Sequence, residues 1–358
     1  MPANLVRCLP ESYPGAATRC ALASATDDCE GVFMALSEYP DGKTFAFTIL
    51  DIAETASVDV LRPFYALLHE LGVSATKTVW SRSADERAGP GSRCSLDDPR
   101  WLEFILELRD CGFEIGWAGA TSDSNDRART LEGLHQFREL IGYDPRVYVN
   151  SGGNRDGIYW GTDRIDEPLL KAVVHRAAPS PAGYYQGHME SSSFWWGDIC
   201  HERIQYVLNL TFDDVNITRV NPTIPYHDPT RNFVRWWFSG SDAENCSEFN
   251  QLLRPDRQER LERERGCCIV ATHIGRGYVR DGQVDRLARK RLESLVSRPG
   301  WFGPVSTLLD HFRTNNASGQ LTSEEWERMQ WKWARDIVRR RVRNTVKRDS
   351  EWLNAAVR

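Results

Sequence analysis

From Thr44 onward, apolar and polar positions alternate between two patterns. Thr44–Asp51 (TFAFTILD) is a short, nearly continuous apolar run and predicts a strand, whereas Ser57–Leu71 (SVDVLRPFYALLHEL) spaces its apolar residues helically and stops at Gly72. The same pair of patterns recurs. Ala75–Trp80 predicts a strand and Asp98–Cys111 a helix ended by Gly112. Phe113–Gly119 predicts a strand, Arg127–Ile141 a helix ended by Gly142, and Arg146–Asn150 a strand. Glycine after each helix suits a left-handed C-terminal cap. Strands that are apolar on both faces, alternating with helices, predict a mostly parallel α/β sheet or barrel.

The rhythm breaks between 178 and 230, a stretch rich in Pro, Gly and aromatics, which predicts an inserted loop region over one face. Helical spacing returns at Glu248–Arg265. Cys267–His273 (CCIVATH) predicts a late strand, and Gln283–Val296 and Val305–Phe312 closing helices. Thr322 to Glu325 form a capping box, and Trp326, Met329, Trp333, Ile337 and Val342 follow near helical spacing. The expected organisation is a lead-in over 1–43, a β/α unit over 44–320 and a C-terminal helix over 321–358. From Leu321 on, ten basic and six acidic residues give +4, so the remainder of the chain, whose total is -5, carries -9. The basic amphipathic helix is expected to dock on the domain, or to serve as an arm for a phosphate-bearing partner or for homo-oligomer contact.

Composition narrows the field. With 41% hydrophobic residues and 13 Trp, the chain has ample material for a core, which excludes a mainly disordered protein. Its mildly acidic balance speaks against nucleic acid as a partner. No apolar run approaches a membrane span, and the first residues show no secretory signal pattern. Nine cysteines without C-x-x-C spacing suit reduced thiols, with Cys267 and Cys268 packing rather than bridging, so a cytoplasmic location is expected. The glycosylation patterns at Asn209 and Asn316 are then fortuitous.

In a parallel barrel, chemistry gathers at the C-terminal ends of the strands. Those ends bring forward Asp51, Trp80, Trp117 to Gly119, Asn150 with Ser151, and His273. Asp51 and His273 are the two that exchange protons, and partial burial would tune such a pair for acid/base work near neutral pH.

Five stretches together resemble the polysaccharide deacetylase (NodB-homology, carbohydrate esterase family 4-like) superfamily, in particular the branch found in surface-polysaccharide gene clusters. They are Leu50–Tyr65 with Gly72–Trp80, Gly112–Ser122 (GFEIGWAGATS), Val147–Trp160 (VYVNSGGNRDGIYW), Gly187–Asp198 (GHMESSSFWWGD), and Ile269–Val279 (IVATHIGRGYV) with Gly300–Asp310. The resemblance runs from about Thr44 to Leu309 and implies a distorted, incomplete (β/α) barrel. It also implies Asp51 as general base and His273 as general acid. At the family's metal-binding positions stand Ile52, Ala118 and Ser151, none of them a good zinc ligand. The resemblance therefore implies an acid/base pair without its metal and no cofactor.

Further candidates for contacting a saccharide or other small-molecule substrate are Trp80, Asn150, Ser151, Trp160, His188, Trp196, Asp198 and Arg276. The tryptophans offer stacking faces and Arg276, between two glycines, an anion contact. Each has a plainer use as well: buried Trp, a hydrogen-bonded His188, Asp198 as a helix cap, a solvated Arg276. His227 reads best as turn structure. His188, Asp198, His227 and His273 have the residue types for a relocated metal site, but no short local spacing. Three functions stay open: a metal-independent acid/base enzyme acting on a sugar or natural-product intermediate (C–N hydrolysis, ring opening, cyclisation or isomerisation); a non-catalytic binding or scaffold pseudoenzyme; and a metal-dependent deacetylase with relocated ligands.

Overall fold

The computed structural model describes residues 39–84, 94–177, 183–315 and 319–356, with side chains as far as Val342 in the last segment. Thus most of the expected lead-in, and Asn316, lie outside the described residues.

The chain forms β1 (Phe45–Asp51), α1 (Val58–Glu70), β2 (Ala75–Val79), α2 (Pro99–Asp110), β3 (Glu114–Trp117), α3 (Arg127–Ile141), β4 (Val147–Tyr148), α4 (Pro168–Ala177), α5 (Gly197–Arg203), β5 (Tyr206–Phe212), α6 (Ile217–Val220) and β6 (Trp236–Asp242). It continues with α7 (Cys246–Leu252), α8 (Pro255–Arg263), β7 (Cys267–Thr272), the short strands β8 (Val279–Arg280) and β9 (Gln283–Val284), α9 (Arg286–Val296), β10 (Gly300–Phe302), α10 (Val305–Asn315) and α11 (Ser323–Ala356). Strands β1 to β7 pair in sequence order and all in parallel, and β7 pairs back onto β1, so a seven-stranded barrel closes. It is incomplete only in having seven strands rather than eight. Strand β10 adds beside the first half of β1.

Every residue of β1, β2 and β7 is buried, as strands sandwiched between an inner core and an outer helix layer require. Gly72, Gly112 and Gly142 follow α1, α2 and α3 with φ of 67°, 85° and 95°, the left-handed turn into the next strand. Among the described residues Cys94, Cys200, Cys246, Cys267 and Cys268 are free thiols, and Cys267 and Cys268 are fully buried. Asn209 is buried within β5 and donates to the Tyr226 hydroxyl at 2.7 Å, so that pattern serves the core.

Three expectations need correction. The stretch 178–230 is not a plain loop insertion, because it contains α5, the barrel strand β5 and α6. The helix expected over Glu248–Arg265 is two helices, since Pro255 cannot continue α7 and instead opens α8. The expected helix at Gln283 starts at Arg286, because Gln283 and Val284 form β9 and Asp285 caps α9, accepting from the Ala288 N–H at 2.8 Å.

The capping box at the start of α11 is formed: the Glu325 N–H donates to Thr322 Oγ1 at 3.2 Å, and the Thr322 N–H to Glu325 Oε2 at 2.8 Å. The helix buries Met329, Gln330, Trp333 and Ala334 against the barrel and α4. Gln330 Oε1 accepts from the Asp166 N–H at 2.7 Å, and Trp326 Nε1 donates to Asp166 Oδ2 at 2.5 Å. These contacts lay α11 across the C-terminal mouth of the barrel. No helix among the described residues is long and apolar enough to cross a membrane.

Candidate active site

A cavity of about 590 Å³ opens at the barrel mouth. Its floor comes from Ile52 and Ala53 just past β1, Ala271 near the end of β7 and Leu208 within β5. Trp80, Asn150, Ser151, Trp160 and Arg276 line it, as do Asp242 at the end of β6, Glu244 just beyond it and His273 after β7. The roof is α11, through Trp333, Asp336, Ile337 and Arg340. Of the residues expected from the sequence, Trp80, Asn150, Ser151, Trp160, His273 and Arg276 therefore meet at one place.

Asp51 does not join them. Its carboxylate is fully buried and turned toward the helix layer, where Oδ2 accepts from the Tyr65 hydroxyl of α1 at 2.8 Å. Lys77, its register partner on β2, places Nζ 2.9 Å from the same oxygen, with both side chains at zero exposure. Asp51 Oδ1 accepts from the Ile274 N–H at 3.0 Å. Thus Ile52, not Asp51, faces the cavity, and the general-base role expected of Asp51 lacks a path to a substrate. The carboxylate instead braces the loop that follows His273. Glu54 does the same one residue on, accepting from the Gly275 N–H at 2.6 Å and lying 3.3 Å from Arg276 Nε. Burial and the nearby Asp51 raise the Glu54 carboxyl above its usual value. Gly275 is required by this embrace, because a Cβ there would meet the Ala56 Cβ at 2.6 Å.

His273 sits above this brace with its ring on the cavity wall. Nδ1 is enclosed and meets no hydrogen-bond partner among the described residues. Burial and then the Arg276 charge push its pKa below the ordinary histidine value, so the imidazole is neutral at pH 7. On the neighbouring strand end, where Asp242 of β6 pairs in register with Ala271 of β7, burial pushes the Asp242 carboxyl up to about 6, with Glu248 and Glu244 adding to the rise and Arg340 opposing it. Arg340 of α11 pairs with Asp242 directly and lies 3.7 Å from Glu248. Arg276 pairs with Glu244.

Other candidates have structural employment. Asn150 is buried, its Oδ1 accepting the Ile158 N–H at 2.7 Å, so its amide ties the following loop. Ser151 Oγ donates to the Ala118 carbonyl at 3.0 Å and accepts weakly from Trp80 Nε1 at 3.4 Å. Three others lie off the cavity, in correction of their expected place there. His188 stacks on Tyr159 at 4.3 Å and accepts its N–H, and burial lowers its pKa to about 4. Trp196 is fully buried between Trp117 and Tyr148, donating to the Asp156 carbonyl at 2.7 Å. Asp198 holds Arg127 bidentately at 2.6 and 2.7 Å.

The family's metal does not fit this donor set. Ile52 and Ala118 bring no ligand atom, and the Ser151 hydroxyl is committed to a carbonyl. The relocated set is not assembled either. His188 and Asp198 are occupied as described and His227 Nδ1 lies 3.2 Å from the Arg235 carbonyl oxygen. Among the described residues no group of three or more His, Cys, Asp or Glu side chains is arranged to hold a metal ion.

Several cavity residues gave no motif: Arg164, Asp242, Glu244, Trp333, Asp336 and Arg340. Asp242 ends a strand, WWFSGSD, whose Ser and Gly hide it from an apolar-run criterion. The α11 residues were visible as an amphipathic helix, but amphipathicity does not say where a helix docks.

No family model matches the chain, and no curated relative matches it. Solved structures do. A protein described as a polysaccharide deacetylase from Mycobacterium smegmatis is 15% identical over 79% of this chain and 96% of its own, with a TM-score of 0.47. Puue allantoinase is 13% identical over 78% and 93%, with a TM-score of 0.46. The chitin deacetylase from Colletotrichum lindemuthianum is 14% identical over 78% and 94%, with a TM-score of 0.36. The chain resembles polysaccharide deacetylases. The likeness is one of fold, and what this barrel does must be read from its own mouth.

Proposed function

We propose that the protein is a metal-independent acid/base enzyme on a deacetylase-like barrel, hydrolysing an activated C–N bond of a sugar or natural-product intermediate held at the mouth. The observation that carries this reading is the sharing of one cavity by two proton carriers: His273, its pKa lowered so that the ring can accept a proton, and Asp242, with its carboxyl raised to about 6. His273 takes a proton from the attacking water, and Asp242, when protonated, gives one to the departing nitrogen. Asp51 and Glu54 serve as positioning residues, fixing Ile274 and Gly275 and so the aim of His273. Without a metal to polarise the carbonyl, a plain acetamide is a poor substrate, and a strained cyclic amide suits the site better.

The test is a panel of cyclic amides and N-acetyl sugars incubated with chelated protein and followed by mass spectrometry. Turnover should survive chelation, disappear in His273→Asn, and fall about 10²-fold or more in Asp242→Asn. Turnover that appears only on adding zinc would overturn the reading. A second reading, a non-catalytic binding protein, is favoured by the consumption of Asp51 in its ion pair with Lys77, and ligand binding without turnover of any panel member would select it.

A further inference from the structure

Three arginines line the mouth cavity, and two of them are matched by carboxylates: Arg276 by Glu54 and Glu244, Arg340 by Asp242 and Glu248. Arg164 is different. It closes a single 3-10 turn, Gly161–Arg164, on the β5 side of the mouth. Its Nε donates to the Gly161 carbonyl at 3.3 Å and one Nη to the Asn209 carbonyl at 3.0 Å, both neutral acceptors. No carboxylate among the described residues pairs with it. The nearby acid in the cavity roof, Asp336, is engaged by Lys332 at 2.9 Å.

The guanidinium is also held by its faces. Its central carbon lies 3.8 Å from the ring centre of Trp160 and 4.4 Å from that of Trp333, one indole from the barrel and one from α11. With two rings packed this close to the guanidinium, its N–H edge is the part left to meet a ligand. Two of its five N–H groups are spent on the carbonyls, which leaves three. A planar donor edge of this kind matches the two oxygens of a carboxylate, and the flanking rings strip away the water that would otherwise screen the charge. Burial alone lowers the Arg164 pKa to about 9, which leaves it cationic at pH 7 and records the cost of keeping that charge without a counter-ion.

We infer that Arg164, clamped by Trp160 and Trp333, is a carboxylate-binding subsite of the mouth cavity, so that the ligand of this barrel is an organic acid or acidic sugar. The inference rests on the proposed use of the mouth as the ligand site, and it names the class of ligand. Because one of the two rings belongs to α11, the subsite is complete only when that helix is seated.

The test uses full-length protein and three probes, D-glucuronate, D-glucose and acetate, titrated by ligand-observed NMR. Glucuronate should bind saturably, and D-glucose at least tenfold more weakly. Acetate should compete with glucuronate if the carboxylate alone is read. Arg164→Met should weaken glucuronate binding at least tenfold, leave glucose unchanged and keep a Tm no lower than the parent, because it removes a half-buried charge that has no counter-ion among the described residues. Arg164→Lys, which keeps the charge but not the fork, should fall between. Equal binding of glucuronate and glucose, unchanged glucuronate binding in Arg164→Met, or a fall in Tm that accompanies the loss of binding would each overturn the subsite, the last by assigning Arg164 to packing. Failure of the catalytic reading is distinguishable: Arg164-dependent glucuronate binding that persists in His273→Asn, without turnover of any substrate, keeps the subsite and removes the enzyme.

Discussion

On the β1–β2 side of the mouth, charge is cancelled from within. Asp51 meets Lys77, Tyr65 and a backbone N–H, while Glu54 meets Gly275 and Arg276. On the β5–β6 side, facing α11, chemistry is left open. Among the described residues Arg164 has no counter-ion, Asp242 holds its proton unusually long, and His273, on the adjoining strand end, keeps an enclosed nitrogen without a partner. On the first of these sides, the carboxylate at the end of β1 does not reach the cavity. Here a lysine stands beside Asp51 and the hydrophobic Ile52 faces the cavity. The difference teaches that a carboxylate at a strand end need not serve the cavity, because one paired behind the strand becomes an internal strut that aims a neighbouring loop.

The sharpest way to break this comparison is to remove the strut's counter-charge. Lys77→Met leaves the Asp51 carboxylate buried beside an apolar chain and should cost about 3–5 kcal/mol in urea unfolding. The double variant Asp51→Asn, Lys77→Met should recover much of that loss, since an amide still serves the Ile274 N–H and the Tyr65 hydroxyl. A single-variant loss under about 1 kcal/mol would mean that the pair behaves like a solvated surface bridge.

A second test sharpens the open side through pH. Asp242, raised to about 6, makes the folded state bind more protons than the unfolded chain, so its contribution falls as pH rises from about 4 to 6. His188, lowered to about 4, makes the folded state bind fewer protons, so its contribution grows as pH rises from about 4 to 6.5. Each effect is about 3 kcal/mol in magnitude and the two oppose one another. Asp242→Asn should therefore give stability that climbs with pH across this window, and His188→Gln stability that declines. Parallel profiles for the two variants would sink the assignment.

The smallest effect concerns the roof. Thr322→Ala removes the cap of α11 and should cost about 1 kcal/mol, read as faster amide exchange in α11 with the barrel strands unchanged.

Much of the barrel was legible in the sequence because its first half obeys the simplest rules. The bounds expected for α3, Arg127–Ile141, are those found, and β1 and β7 are nearly continuous apolar runs. The second half was harder for local reasons. Strand β5 (YVLNLTF) is apolar enough, but its flanks of Pro, Gly and Trp look like loop, and it carries a buried Asn209 whose partner, Tyr226, is distant in sequence. Strand β6 is interrupted by Ser and Gly. At the site, the address of His273 was legible from its strand, but the direction of Asp51 was not. A strand end has two sides, and only the fold shows that Tyr65 and Lys77 draw this carboxylate outward. Lys77 itself, in a strand reading ATKTV, carries no local sign that it is buried. Arg164 lies in a turn without periodicity, and its two aromatic clamps are far apart in the chain.

The position of α11 also fixes an order of events. The last barrel-associated strand ends at Phe302 and α11 begins at Ser323, so during synthesis every strand is available to pair before the roof emerges. Trp333, Asp336 and Arg340 then arrive on an already closed barrel. Folding and the acquisition of a finished pocket are thus separable, and a chain ended after α10 would lack Trp333, Asp336 and Arg340 at the pocket while keeping every strand of the barrel.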